Sequence, residues 1–306
     1  MSSIDKIADN LGKEYRLTLR NVCQSLRQLV DSCDPKYERI EILNNSRLIR
    51  LTLDDAEFLY KHEKGLVSVQ GPRPFIEYSE SGKKEAVAMG DLMSILEHPK
   101  LHVEHLEFNF VGGKAFRRDL ERKLKKSNIR IKAEHVSLAS DYLEHYISIL
   151  SYFQPGVLKT VDLRHTRLYY SEKCLKQLTE TLNDSEACQR VEQVLITASI
   201  TRCDETFTIP RLLTLPRVTL RYMSLPTLKA AKIVEHLLKS ATLQLYEIKG
   251  ASRHWNVTIF IRRLIEFGAK FVAPNVLIYR NPESGSDEHF EIQLRGNGCS
   301  IERKRN

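Results

Sequence analysis

Leu158-Lys159-Thr160-Val161-Asp162-Leu163 is the stretch whose reading decides the fold. Side chains alternate across a strand, so Val161 and Leu163 share one face while Asp162 stands on the other. Leu158 three residues upstream completes a spacing in which inward side chains stack on equivalents from neighbouring parallel strands. A strand of this kind buries its apolar face only with neighbours of the same kind. The chain supplies them: Leu101 to Phe110, Ile129 to Leu138, Val191 to Ala198, Val218 to Tyr222, Thr242 to Ile248 and Val276 to Tyr279 read as further short apolar strands.

Amphipathic helices are expected between most of these strands, which gives a repeat of about 25–32 residues, the signature of a βα unit. One helix carries Leu143, Tyr146, Ile147, Leu150 and Phe153, and another Leu175, Leu178 and Leu182. A third follows Pro226-Thr227 with Leu228, Ala231, Val234, Leu237, Leu238 and Ala241. The last runs through Phe260, Ile261, Leu264 and Ile265, with Asn256 as N-cap and Gly268 past its end. Near the carboxyl end Phe290 to Leu294 alternates, Gly296-Asn297-Gly298 supplies a tight turn, and Cys299-Ser300-Ile301 returns, an antiparallel hairpin suited to cap an open sheet edge.

Upstream of the repeats the period is different. Asp34-Pro35 ends a helical region, and alternation then marks strands at Tyr37 to Leu43 and Ile49 to Leu53. Glu57 to Tyr60, Leu66 to Gln70 and Phe75 to Tyr78 come next, separated by Lys64-Gly65, Gly71-Pro72 and Ser81-Gly82. Residues 36–90 therefore read as a small β meander coupling the helical region before it to the repeats after it.

The first 35 residues carry Ile7, Leu11, Leu17, Leu19, Val22, Cys23, Leu26, Leu29 and Val30 at helical spacing. Units below about 40 residues seldom fold without a disulfide, a metal or a partner, so this segment is expected to lean on another protein, the rival reading being an amphipathic helix pair packed on the rest of the chain. Ile7-x-x-x-Leu11 and Leu19-Arg20-Asn21-Val22-Cys23-Gln24-Ser25-Leu26 resemble an F-box, with Met1-Ser2-Ser3-Ile4 standing where that family opens on Leu-Pro. The resemblance implies docking on a Skp-type adaptor and, through it, a cullin. Ile4, Ile7, Leu11, Leu17, Leu19, Val22, Cys23 and Leu26 would contact or shape the adaptor-facing surface.

Residues 91–306 resemble the FTH domain that follows the F-box in a large nematode family. Asp91-Leu92-Met93-Ser94-Ile95-Leu96, Ile149 to Leu158 and Asp287 to Ile292 carry that resemblance. The family's Trp-Lys-x-Ala stretch is replaced here by Glu186-Ala187-Cys188-Gln189-Arg190. The expected fold is thus α/β: F-box helices over 1–35, a β meander over 36–90, and over 91–306 an irregular leucine-rich-repeat-like βα solenoid with a C-terminal β-hairpin cap. Joined, the two resemblances imply a substrate-recognition adaptor of a cullin-based ubiquitin ligase. Its recognition surface would lie on outward strand positions such as Glu104, Glu107, Lys159, Asp162, Arg217, Arg221 and Tyr222. The rival readings are an interaction scaffold without adaptor binding and a basic nucleic-acid binder.

Composition and chemistry bound these readings. The content of 42% hydrophobic and 28% charged residues is that of a globular protein. No long apolar run or signal-like leader is present, so the cytosol or nucleus is expected, with the six cysteines as free thiols. The net charge of +8 invites a nucleic-acid partner. The basic run from Lys114 to Lys132, however, contains Phe116, Leu120 and Leu124 at helical spacing, which makes it the solvated face of an amphipathic helix. Arg303-Lys304-Arg305 is a weak basic patch at a strand end.

No catalytic constellation stands out. His102 and His105 lie on opposite faces of one strand and cannot share a metal. Gly112-Gly113-Lys114 reads as a βα turn, and Cys203-Asp204-Glu205 has no base placed beside it. An enzyme, a cofactor and a metal are therefore not expected, and the chain is expected to work by holding partners together.

Overall fold

The computed structural model describes residues 15, 24–32, 35, 37–45, 47–63, 66–71, 76–79, 83–111, 114–140, 148–165, 180, 182, 185–188, 190–198, 216–222, 226–249, 255–282 and 287–305. It is a mixed α/β structure in two compact units, Met1–Asp141 with Ser148–Leu158, and Tyr142–Ile147 with Lys159–Asn306. Among the described residues no helix is long and apolar enough to cross a membrane.

The first unit is built on β1 (Arg39–Asn44), which serves two sheets' worth of pairing at once. On one side it runs antiparallel to β2 (Leu48–Leu53), followed by β3 (Ala56–Glu63), β4 (Leu66–Gln70) and β5 (Ile76–Ser79), each antiparallel to the last. On its other side it runs parallel to β6 (Val103–Asn109), which is parallel to β7 (Ala133–Ser140). The meander is therefore continuous with the first repeats, and β1 is the shared strand. The expected division near residue 90 falls inside α2, a helix over Lys84–Leu96.

Register turns period-2 alternation into a core. Ile40 lies opposite Leu106, which lies opposite Val136, and Ile42, Phe108 and Leu138 form the next row. All six are buried. Burying one such side chain contributes about 1.5–3 kcal/mol before entropy is counted, so slipping the register by one residue forfeits the whole row. Helix α2 covers β2 and β3 with Ala88, Met89, Leu92, Met93 and Leu96. Its Asp91 accepts a 2.7 Å hydrogen bond from the Tyr60 hydroxyl on β3. Helix α3 (Lys114–Ser127) connects β6 to β7 and buries Phe116, Leu120 and Leu124, while Arg118, Arg122, Lys125 and Lys126 face solvent. Most of the basic run is an outer helix face, as its spacing predicts; Arg117 departs from it, buried and ion-paired with Glu121.

The second unit opens on four parallel strands, β8 (Thr160–His165), β9 (Gln193–Ala198), β10 (Arg217–Tyr222) and β11 (Leu245–Lys249). An antiparallel block comes next in the order β15 (Gly298–Arg305), β14 (Glu288–Arg295), β13 (Val276–Tyr279) and β12 (Lys270–Ala273). One inward row crosses seven strands: Val161, Val194, Val218, Tyr246, Ile301, Ile292 and Leu277, each paired with the next and all buried. The C-terminal hairpin is thus added to β11, as the alternation from Phe290 predicts. Strand β12 is not legible in the sequence, because all four of its residues are exposed and carry no period.

Helices α4 (Thr227–Leu237) and α5 (Val257–Glu266) pack on each other. Asn256 caps α5 as expected, its Oδ1 accepting the Ile259 N–H at 3.0 Å. The Asn256 N–H in turn donates to Thr227 Oγ1 at 2.8 Å, tying the starts of the two helices together. Leu228 departs from expectation: it lies 59% exposed, because Ala230, Ala231, Val234 and Leu237 fill the inward face without it. The predicted helix over Leu143 to Phe153 is described only from residue 148, where a helical turn ends before Phe153, and the helix at Leu175 and Leu178 lies outside the described residues.

Of Arg303-Lys304-Arg305, Arg303 is built into the fold, while Lys304 and Arg305 form exposed ion pairs. Arg303 donates through Nε to the Leu243 carbonyl at 2.8 Å and through Nη1 to Glu288 at 2.9 Å, and lies 4.9 Å over the Phe290 ring. Arg305 also donates to Glu288 at 2.9 Å, and Lys304 pairs with Glu302. Hydrogen bonds from Arg303 and Arg305 hold the Glu288 carboxyl below its ordinary value.

The β11/β15 seam yields two predictions. A Cβ at Gly298 would lie 1.9 Å from the Ile248 carbonyl oxygen, whereas nothing stands within 4 Å of one at Gly296. In chemical denaturation Gly298→Ala is expected to lose about 1–3 kcal/mol, and Gly296→Ala to change by less than about 0.5 kcal/mol. Beside Gly298, burial pushes the Cys299 thiol from 9.0 up to about 12. The folded chain keeps a proton there that the unfolded chain releases first, so this contribution is present below pH 9.0 and lost as pH rises towards 12. Denaturation midpoints should fall across that alkaline window, with a shallower slope in Cys299→Ala.

Candidate recognition face

The face of β1, β6 and β7 opposite the buried rows is polar. In register, Arg39 lies opposite His105, which lies opposite His135; Glu41, Glu107 and Ser137 make the next row. Arg39 is ion-paired with Glu41, and its Nη2 stands 3.7 Å from Glu107 Oε2. The His105 and His135 rings stack with centroids 4.8 Å apart and 21° between their planes. His105 Nε2 lies 3.2 Å from Glu104 Oε1, and His102 Nε2 lies 3.5 Å from Glu134 Oε1. Exposed pairs of this kind contribute little to stability, about 0–1 kcal/mol each. Their value is a fixed pattern of charge and hydrogen-bonding groups on a rigid strand face.

The expected recognition residues do not form one group. Glu104 is exposed, whereas Glu107 is half-buried against Arg39. Lys159 and Arg217 are exposed in the second unit, and Asp162 is held by Arg164 Nε at 2.8 Å. Arg221 and Tyr222 lie on β10, but their side chains are outside the described residues. The pairing of His105 with His135 and the place of Arg39 beside them were not anticipated. A signal for the first exists: Val103-Glu104-His105 and Ala133-Glu134-His135 repeat the same Glu-His at the same ladder position. Reading His102 and His105 along one strand missed the neighbour across the ladder.

Of the expected adaptor-facing residues, Ile4, Ile7, Leu11, Leu17, Leu19, Val22 and Cys23 lie outside the described residues. Leu26 is on α1 (Gln24–Ser32), its side chain likewise outside them. The last carbonyls of a helix have no partner within it, and the segment after α2 supplies partners from within the same unit. His98 is buried; its Nδ1 accepts the Lys100 N–H at 3.2 Å, which leaves the hydrogen of a neutral ring on Nε2, facing the Val30 carbonyl at 3.4 Å. Lys100 Nζ donates to the Ser32 carbonyl at 2.6 Å, a cation at the negative end of the helix. Val30 is buried, while Gln24, Ser25, Arg27 and Gln28 face solvent.

Cys188 and Cys299 are buried and form no disulfide. Lys114 is the first residue of α3, whereas Gly112 and Gly113 of the expected βα turn, like Cys203-Asp204-Glu205, lie outside the described residues.

Residues 114–264, from the first residue of α3 into α5, match the FTH domain, and over that range the chain is similar to that family. The match is narrower than the expected 91–306. No curated protein and no solved structure matches the chain.

The anchor of α1 generates a direct test. Replacing His98 and Lys100 together by alanine removes both carbonyl partners, each worth about 0.5–1.5 kcal/mol. Amide hydrogen exchange over Val30 to Ser32 should accelerate roughly tenfold or more, while Ile40 and Ile42 in β1 exchange as before.

Proposed function

We propose that this chain is a substrate-recognition adaptor of a cullin-based, SCF-type ubiquitin ligase. Residues 1–35 act as an F-box that docks a Skp-type adaptor through Ile4, Ile7, Leu11, Leu17, Leu19, Val22, Cys23 and Leu26. The strand faces of an irregular leucine-rich-repeat-like solenoid, capped by the C-terminal hairpin, hold a target protein. The observation that carries this reading is the match of residues 114–264 to the FTH domain, an F-box-associated family, downstream of an F-box-like segment.

The anchored end of α1 supports it physically. A ligase receptor works by geometry, presenting a bound target beside a ubiquitin-charged enzyme at an effective concentration on the order of millimolar. A docking segment that swung freely would spread that concentration over many orientations. The chain itself performs no chemistry in this scheme, requires no cofactor for it, and acts in the cytosol or nucleus.

The test is affinity isolation of the full chain beside a Leu19→Asp, Val22→Asp double variant, with quantification of every partner. Charges placed on the docking face should cut recovery of the Skp-type adaptor and the cullin by about tenfold or more while target proteins remain. Equal recovery of the adaptor from both chains overturns the proposal and favours the scaffold reading.

A further inference from the structure

We propose that Glu104, His105 and His135 form a binding site for a divalent transition-metal ion of the zinc class. These are a His, a His and a carboxylate whose ligand atoms all lie within 4.8 Å of one another; His105 and His135 share the exposed face of β6 and β7, and the Glu104 carboxylate reaches His105 from the adjacent strand position. The site reverses the sequence-based expectation of no metal, and the reason lies in the register. His102 and His105 are poor joint ligands along one strand, but β6 and β7 run parallel with His105 directly opposite His135. Their backbones are fixed by ladder hydrogen bonds, and the rows beneath them by burial of Leu106, Phe108, Val136 and Leu138. Both imidazoles are therefore delivered to one place without ordering a loop.

The distances suit zinc. Tetrahedral ligands at about 2.0–2.1 Å from the ion stand roughly 3.3–3.5 Å apart. His105 Nε2 and Glu104 Oε1 are already 3.2 Å apart. The His135 ring, stacked on His105, has to move its ligand nitrogen by roughly 1–1.5 Å, within reach of a side-chain rotation for a half-exposed residue. Two imidazoles and one carboxylate are the donor set of sites that leave a fourth position open to water or to a ligand from outside. Nitrogen donors on a single carboxylate favour Zn2+, Ni2+ and Cu2+ over Mg2+ and Ca2+, which need oxygen cages.

The test uses the full chain and Zn2+ alone. Competition against a chromophoric chelator should reveal one equivalent bound, with His105→Ala and His135→Ala each weakening it by about tenfold or more and Glu104→Gln weakening it less. His102→Ala, outside the three-residue set, should bind as the parent does. Circular dichroism verifies that each variant folds, which the exposure of these side chains favours. Failure of the parent to bind an equivalent at zinc concentrations up to about 1 mM overturns the site, as does undiminished binding by both histidine variants. Should a variant not fold, Co2+ added to the parent decides: broadening of the His105 and His135 imidazole resonances ahead of the chain's other histidines supports the site, and equal broadening of all refutes it.

Discussion

Everything in the first unit depends on β1 being paired on both edges in opposite senses. Its antiparallel partner, β2, begins four residues after β1 ends, and the Arg47 N–H donates to Asn45 Oδ1 ahead of it. Its parallel partner, β6, arrives only after the rest of the meander and helix α2. Because Ile40 and Ile42 belong to both sets of rows, neither half of the sheet can lose register without stripping the other of its core. Non-local pairing of this kind is entropically costly to form and correspondingly specific once formed.

The second unit solves the same problem by closure. Parallel strands present an unpaired edge that invites association, and here β15 occupies the edge of β11 and passes the inward row onward to β14 and β13. Arg303 then fastens the inserted strand from outside, bonding the loop after α4 and Glu288 on the neighbouring strand. Of the basic triplet, Arg303 is thereby spent on the fold. Helix α1, within the first unit, is fastened by a comparable device: side chains from a distant segment, His98 and Lys100, partner the carbonyls that a helix terminus leaves open. In the proposed ligase role this contact couples the docking segment to the strand face that would hold a target.

Strands were legible wherever one face is buried. Val161 with Leu163, Ile40 with Ile42, and Phe290 with Ile292 announce themselves by alternation, and each lies on an observed strand. Strand β12 is silent because Phe271 and Val272 are exposed together. Leu228 misled because a helical apolar residue counts toward the stripe whether or not the core has room for it. Of the candidate site, Glu104 was legible as an outward residue; Arg39 and His135 were not, since nothing in their own flanking residues says who lies across the ladder.

Local alternation, helix caps and turn residues are short-range physics, and the sequence alone determined them: the strands with one buried face, the Asn256 cap, the apolar seam of α3 and the closing hairpin. Which strand neighbours which, and in what sense, depends on contacts between residues far apart in the chain, so only the tertiary structure decided it. That step set β6 beside β1, turned Arg303 into a clasp, and brought His105 against His135, because a side chain's chemistry is set by its neighbours in space.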